Sequence, residues 1–274
     1  MKELSHREIQ LGQLGVLKEF DQICKENGFV YFLYYGTLIG AIRHNGFIPW
    51  DDDIDVAMPR PDYERMLDYF RNNAERLKPL VLMHWSTNDK YIYPISRICD
   101  TSYYVDYQGA KAYGLGLFID VYPLDGWGNN DKDTKEIYNR FLVLKNKVSL
   151  AGMDRFEKSK TAPWRTIPKW FGFVFTKMHP ASYYAKKIDE LAKKDYPYED
   201  SDYVGNIFWT NTIGTRVHKS LLKPIKWKFE DDEFPVPSGY DSMLRSTYGD
   251  YMKLPPEEDQ IAHHYYKAYK LEQK

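Results

Sequence analysis

The stretch YGTLIGAIRHNGFIPWDDDIDVAMPR, residues 35–60, carries the densest chemical signal in the chain. Its second half places four aspartates, Asp51, Asp52, Asp53 and Asp55, within five residues. Asp53 to Met58 reads as a β-strand, with Ile54 and Val56 on one face and Asp53 and Asp55 on the other. Carboxylates at i and i+2 of a strand converge on one cation, and hard oxygen ligands of this kind suit Mg²⁺ or Mn²⁺. Unpaired, such charges repel one another strongly at low dielectric, and a bound divalent ion is the simplest compensation. Asp51 shares the parity of this pair and is expected at the loop edge in a supporting role. Asp52 is expected to point away and anchor the loop. The plain alternative is an acidic loop that is merely solvated.

The first half supplies a second part. Gly36-Thr37 is expected to form a turn opening a short helix over 38–44, which Asn45-Gly46 ends. Such a turn exposes backbone N–H groups, and the helix N-terminus attracts phosphate. A third carboxylate is expected from a neighbouring strand. Asp120, in GLFIDVYPLDG (116–126), sits in an apolar run where an unpaired charge is costly. It is a candidate ligand and a candidate general base for an acceptor hydroxyl, or else a turn-capping aspartate before Pro123. Arg43 and Arg97 are candidate phosphate clamps, or equally ion-pair partners of the acidic cluster.

Outward from this stretch, apolar spacing predicts a helix over 3–26 stopped at Asn27-Gly28, and a run of β-formers over 29–35. A helix follows from about Pro59–Pro61 to Leu77, with Tyr63, Met66, Leu67 and Phe70 on one side. Strand-like runs stand at 80–85, 92–98, 101–106, 115–121 and 203–209, and helical ones at 132–150 and 181–195. Turn chemistry punctuates the tail. With no internal repeat, one domain covering 1–274 is the economical reading, of α/β (α+β) class: a mixed sheet flanked by helices, with a helical insertion around 150–195.

Net charge is near zero, with Lys+Arg 38 against Asp+Glu 39, so no nucleic-acid partner is signalled. Two cysteines, Cys24 and Cys99, show neither CxxC spacing nor a histidine nearby, which argues against a zinc site or a disulfide scaffold. The charged N-terminus lacks a signal-peptide core, and no apolar run approaches the ~20 residues that span a bilayer. A cytoplasmic protein, at most peripheral at the inner face of the membrane, is expected. The peripheral option comes from residues 158–187, which hold lysines, one arginine and no Asp or Glu, interleaved with Trp164, Trp170, Phe171, Phe173 and Phe175. That is the chemistry of a segment meeting anionic headgroups, or of a surface-packed helix pair with solvated lysines.

The segment from Tyr35 to Arg60 resembles the signature of the LicD family of phosphotransferases. The tail pattern Phe234-Pro-Val-Pro, Tyr240-Asp, Tyr248-Gly-Asp-Tyr-Met, Leu254-Pro-Pro and His263-His264 resembles that family too, as does the run around Asp120. The resemblance implies a nucleotidyltransferase-like fold and transfer of a phospho-alcohol, phosphocholine first, from a CDP-activated donor such as CDP-choline. CMP leaves, and the acceptor is a hydroxyl on a cell-surface glycan or lipid-linked oligosaccharide, such as a teichoic-acid, capsule or lipopolysaccharide precursor. It also supports Asp53 and Asp55 as metal ligands and Gly36-Thr37 as the phosphate-binding element. Trp85, Tyr91, Tyr93 and Trp209 are candidates for a cation–π cage around choline. Two other readings compete: a nucleotide-sugar glycosyltransferase using an Asp-x-Asp metal pair, and a Ca²⁺-binding module without turnover. The order of the Gly36-Thr37 helix and then the aspartates argues against the first.

Overall fold

Ser5 caps the first long helix through a capping box with Glu8, and Gly28 ends it in the left-handed conformation (φ 63°) that glycine adopts without penalty. This computed structural model describes residues 1–272 apart from 89, 108–115, 154, 159–161, 210–214 and 263–265. In chain order the elements are β1 (Lys2–Glu3), α1 (His6–Asn27), β2 (Phe32–Leu33), α2 (Tyr35–His44), β3 (Asp55–Pro59) and α3 (Arg60–Asn72). Then come β4 (Leu80–Met83), β5 (Ser96–Asp100), β6 (Tyr103–Tyr107), β7 (Leu117–Gly126), α4 (Asp131–Gly152), α5 (Thr166–Thr176) and α6 (Ala181–Lys194). The chain continues with β8 (Tyr203–Gly205), β9 (Val217–His218), β10 (Pro224–Phe229), β11 (Asp232–Pro237), α7 (Tyr240–Tyr248) and β12 (Tyr266–Lys270).

The central sheet runs β2-β3-β7-β5-β4, with β8 added to β7 and β9 to β8. Among the described residues β3 and β7 pair in parallel and the other pairs of this sheet are antiparallel. One core packs α1, α2 and α3 against a sheet face through Leu17, Phe20, Leu38, Val56, Tyr63 and Phe70. The hairpin β10–β11 joins this core through Phe229 and Phe234. Its prolines are tolerated because each strand of a two-stranded ribbon has a free edge. A separate cluster around Trp127, Phe141, Val148 and Ile188 holds α4 and α6 together. The mixed α/β architecture expected from the sequence is present, a sheet flanked by helices.

Several boundaries differ from the sequence reading. The 29–35 run yields only Phe32–Leu33 as strand, because Tyr35 already begins α2. The Asp53–Met58 strand starts at Asp55, where pairing with Asp120 of β7 begins. A helix at 166–176, the hairpin and α7 lie in stretches read mainly as basic-aromatic or turn-rich.

Candidate active site

The sheet brings an acidic row to one edge of a cleft. Asp55 opens β3, and its register partner across the parallel pair is Asp120 of β7; Arg97 of β5 pairs with Asp120 on the other side. Residues in register share a sheet face, so Asp55, Asp120 and Arg97 form one row. Arg97 Nε donates to Asp120 Oδ1 (2.5 Å) and Nη2 to Oδ2 (3.2 Å), and the guanidinium lies 4.1 Å over the Phe118 ring. Both members are buried.

Ahead of β3, residues 51–54 take no regular strand conformation. The period-2 argument that turned Asp52 away therefore does not apply. One carboxylate oxygen each from Asp51, Asp52 and Asp53 lie within 4.8 Å of one another, a group able to hold a divalent cation. Asp52 is thus a member of the cluster and not only a loop anchor. Asp51 is buried and hydrogen-bonded to Asp53; burial and the Asp53 charge push its pKa up to about 8. Asp55 is pushed well above the carboxylate range by burial and by Asp53, Asp120 and Asp51. Its Oδ1 is buried without a hydrogen-bond partner, while Tyr122 hydrogen-bonds the carboxylate. Buried oxygens are normally satisfied, so an orphaned one amid like charges fits a cation ligand. The donor set, carboxylate oxygen throughout, is that of a hard divalent ion.

The start of α2 abuts this group. A Cβ on Gly36 would lie 2.8 Å from Asp51 Oδ2, so only glycine lets the helix approach the carboxylate that closely. Gly36 and Thr37 lie inside the first turn of α2, not in a turn ahead of it, since Tyr34 is the cap. Tyr35, with φ 40°, is a non-glycine residue held in the left-handed region, a strain that surrounding packing must offset. Its ring is 5.1 Å from that of Tyr122 and 4.1 Å from that of Tyr34. Thr37 Oγ1 accepts the backbone N–H of Asp55 (2.8 Å), so this buried hydroxyl fixes the start of β3 instead of facing the cleft.

The cleft encloses about 900 Å³. Asp51, Asp53, Asp55 and Gly36 line it on one side. Arg43, Trp50, Tyr122, Trp209, Tyr248, Asp250, Lys253 and the Leu254–Pro256 turn line the rest. Arg43 donates to the carbonyls of Tyr251 (2.6 Å) and Lys253 (3.4 Å), which pins the 251–253 turn against α2. Asp120, Arg97 and Thr37 do not line the cleft; they stand behind Asp55. Of the four cage candidates only Trp209 does. Tyr91 is fully buried, and Trp85 packs on His84. Tyr93 lines a second, 390 Å³ cavity with Phe208, Lys145 and Trp209, which borders both. His263 and His264 lie outside the described residues.

Sequence reasoning missed Trp50, Tyr122, Tyr248, Asp250 and Lys253. The signal for Tyr248 and Asp250 was on view in Tyr-Gly-Asp-Tyr-Met, read as turn punctuation and family pattern with no site role attached; Lys253 stands between that motif and Leu-Pro-Pro.

Residues 28–140 match the family described as LicD/FKTN/FKRP, nucleotidyltransferase domain. The lipopolysaccharide cholinephosphotransferase LicD of Haemophilus influenzae is 34% identical over 284 residues, covering 99% of this chain and 100% of that protein. The chain belongs to the LicD family. An uncharacterised protein of Rickettsia prowazekii is 38% identical over 160 residues, covering 49% of the chain and 58% of that protein. A mannosyltransferase regulator of Saccharomyces cerevisiae is 30% identical over 67 residues, 24% of the chain and 6% of the regulator. LicD-family membership makes the chain an enzyme of the phosphotransferase class. Among the described residues no helix is long and apolar enough to cross a membrane.

Proposed function

We propose that this LicD-family enzyme transfers a phospho-alcohol, phosphocholine first, from a CDP-activated donor to a hydroxyl of a cell-surface glycan precursor, releasing CMP. The acceptor in this reading is a teichoic-acid, capsule or lipopolysaccharide unit, free or lipid-linked. The observation that carries the reading is the carboxylate group on the wall of an aromatic-lined cleft, with a buried Asp55 oxygen left unsatisfied. The full-length similarity to a lipopolysaccharide cholinephosphotransferase supports choline as the alcohol.

Asp51, Asp53 and Asp55 would hold the ion, Mg²⁺ or Mn²⁺, with Asp52 beside them. When bound, it supplies Lewis-acid neutralisation of charge on the donor's pyrophosphate. Arg43, on the cleft wall, and Lys253 offer cationic groups to the same phosphates, and Gly36 keeps the α2 terminus close to them. Trp50, Tyr122, Tyr248 and Trp209 exclude water and present ring faces to a trimethylammonium group. The acceptor hydroxyl oxygen attacks the phosphorus bearing the alcohol, its proton passes to a carboxylate on the cleft wall, and the bond from that phosphorus to CMP breaks. Asp120, clamped by Arg97, stands next to Asp55 in a supporting role. Acting as general base would require access to the cleft that this pairing does not provide.

The test is CMP release from a panel of CDP-alcohols with Mg²⁺ or Mn²⁺. Asp53→Asn and Asp55→Asn are each expected to lose at least about a hundredfold in turnover. Undiminished turnover by both variants sinks the metal assignment. A preference for CDP-glycerol or CDP-ribitol over CDP-choline overturns the choline part alone.

A further inference from the structure

Helix α5 carries its apolar stripe on the wrong side for a water-soluble surface. Ile167, Trp170, Phe171, Val174 and Phe175 recur at i, i+3, i+4, i+7 and i+8, the spacing of one helix face. On an ordinary surface helix that face packs on the core. Here those side chains are 70%, 47%, 52%, 44% and 64% exposed, and Trp164 and Met178 at the two ends are each 73% exposed. The inward side instead presents Gly172, Phe173 and Thr176.

The orientation is fixed by packing. A Cβ on Gly172 would lie 3.0 Å from the Leu150 side chain, so α5 sits close on α4. Lys177 Nζ donates to the carbonyls of Ala151 (2.9 Å) and Met153, which staples the end of α5 to the end of α4. A contiguous exposed apolar strip of this size marks an interaction surface.

Charge selects the occupant. From Lys158 to Lys187 the sequence holds no Asp or Glu, and the exposed Lys158 and Arg165 stand at the N-terminal end of the strip. The Arg165 guanidinium lies 4.8 Å over the exposed Trp164 ring, so a cation and an aromatic face sit together at that end of the strip. A second copy of the chain seated there would set these cations against their own kind. An anionic headgroup layer complements them, and Trp and Phe are at home at its boundary with the acyl chains. At 11 residues α5 is ~16 Å long, too short to cross a hydrocarbon core of ~30 Å.

We propose that α5 and the turn before it lie flat in the interface of an anionic lipid bilayer, with the outward stripe in the acyl boundary and the basic residues at the phosphates. This holds whatever alcohol the enzyme transfers.

The test is co-sedimentation of the full chain with vesicles of phosphatidylglycerol and phosphatidylcholine, against phosphatidylcholine alone. Partitioning is expected to be at least tenfold stronger on the anionic vesicles and to weaken with salt. The double variant Phe171→Ser/Phe175→Ser is expected to lose at least tenfold in partitioning while its thermal midpoint and its far-UV spectrum stay as in the wild type. Lys158→Glu/Arg165→Glu, which leaves the stripe intact, is expected to lose the anionic preference. Absence of wild-type binding, or equal binding by the Phe variant, overturns the proposal. So does a wild-type dimer that the Phe variant makes monomeric without any vesicle binding, since the stripe then belongs to a second copy.

Discussion

Gly36 is the residue where the site tolerates least change. A methyl there meets Asp51 Oδ2 at 2.8 Å, and either the carboxylate or the helix must move. Gly36→Ala is expected to keep the fold, since alanine favours a helix, yet to weaken divalent-ion affinity about 10–100-fold by displacing a ligand. Isothermal titration with Mn²⁺ reads this directly. His84 offers a stability test away from the chemistry. It is buried, with Nδ1 against Ser86, and burial lowers its pKa to about 3. The folded state therefore resists a proton that the unfolded chain accepts near pH 6.5. Stability contributed here is full above about pH 6.5 and is lost as pH falls toward 3, at up to about 1.4 kcal/mol per pH unit. Chemical denaturation of His84→Gln across that window is expected to give a flatter profile than the wild type. At this scale the sequence exposed the carboxylates well, because four aspartates in five residues have few inexpensive explanations. It did not expose their partners. That Thr37 serves Asp55's backbone and Arg97 serves Asp120 depends on which strands are neighbours, and register is not written in either motif.

Among elements, a buried ion network joins the catalytic sheet to the helical segment. Arg60, the first residue of α3, donates from Nε to Asp125 at the end of β7 (2.6 Å) and from Nη1 to Asp189 of α6 (2.7 Å). Lys193 reaches both Asp189 and Glu64 at 2.8 Å. Removing the arginine leaves Asp189 its lysine, whereas Asp125 loses the guanidinium that offsets its burial. Arg60→Ala is expected to cost about 3–5 kcal/mol, measured by urea denaturation, because an uncompensated buried charge remains. The exposed pair Arg71–Asp68 is a control; breaking it is expected to change stability by less than about 1 kcal/mol. Elements with strong periodicity, such as α1, α3 and α4, were legible within a few residues. Those set by tertiary context were not. The run of β-formers at 29–35 is cut to Phe32–Leu33 because α2 begins at Tyr35, and α5 was read only as one half of a possible surface helix pair because Pro163, Pro168 and Pro180 break the helical pattern.

Over the whole molecule, the cleft is assembled from segments far apart in the chain: α2 and the acidic loop, β7, and the 247–259 turn region. Arg43 ties the last of these to the first by two backbone carbonyls. Such convergence explains why one wall was read from sequence and the other was not. Trp209 belongs to two cavities at once, the 900 Å³ cleft and the 390 Å³ space beside α4. One indole thus borders both spaces, and its size bears on what either admits. Trp209→Ala is expected to raise KM for CDP-choline about tenfold by removing a ring face. It is also expected to let the enzyme turn over donors with bulkier alcohols that the wild type excludes, measured as relative kcat/KM across a graded series. Substrate gauge in this fold would then rest on a single side chain, and nearby relatives could change their diet by altering one residue while leaving the aspartates untouched.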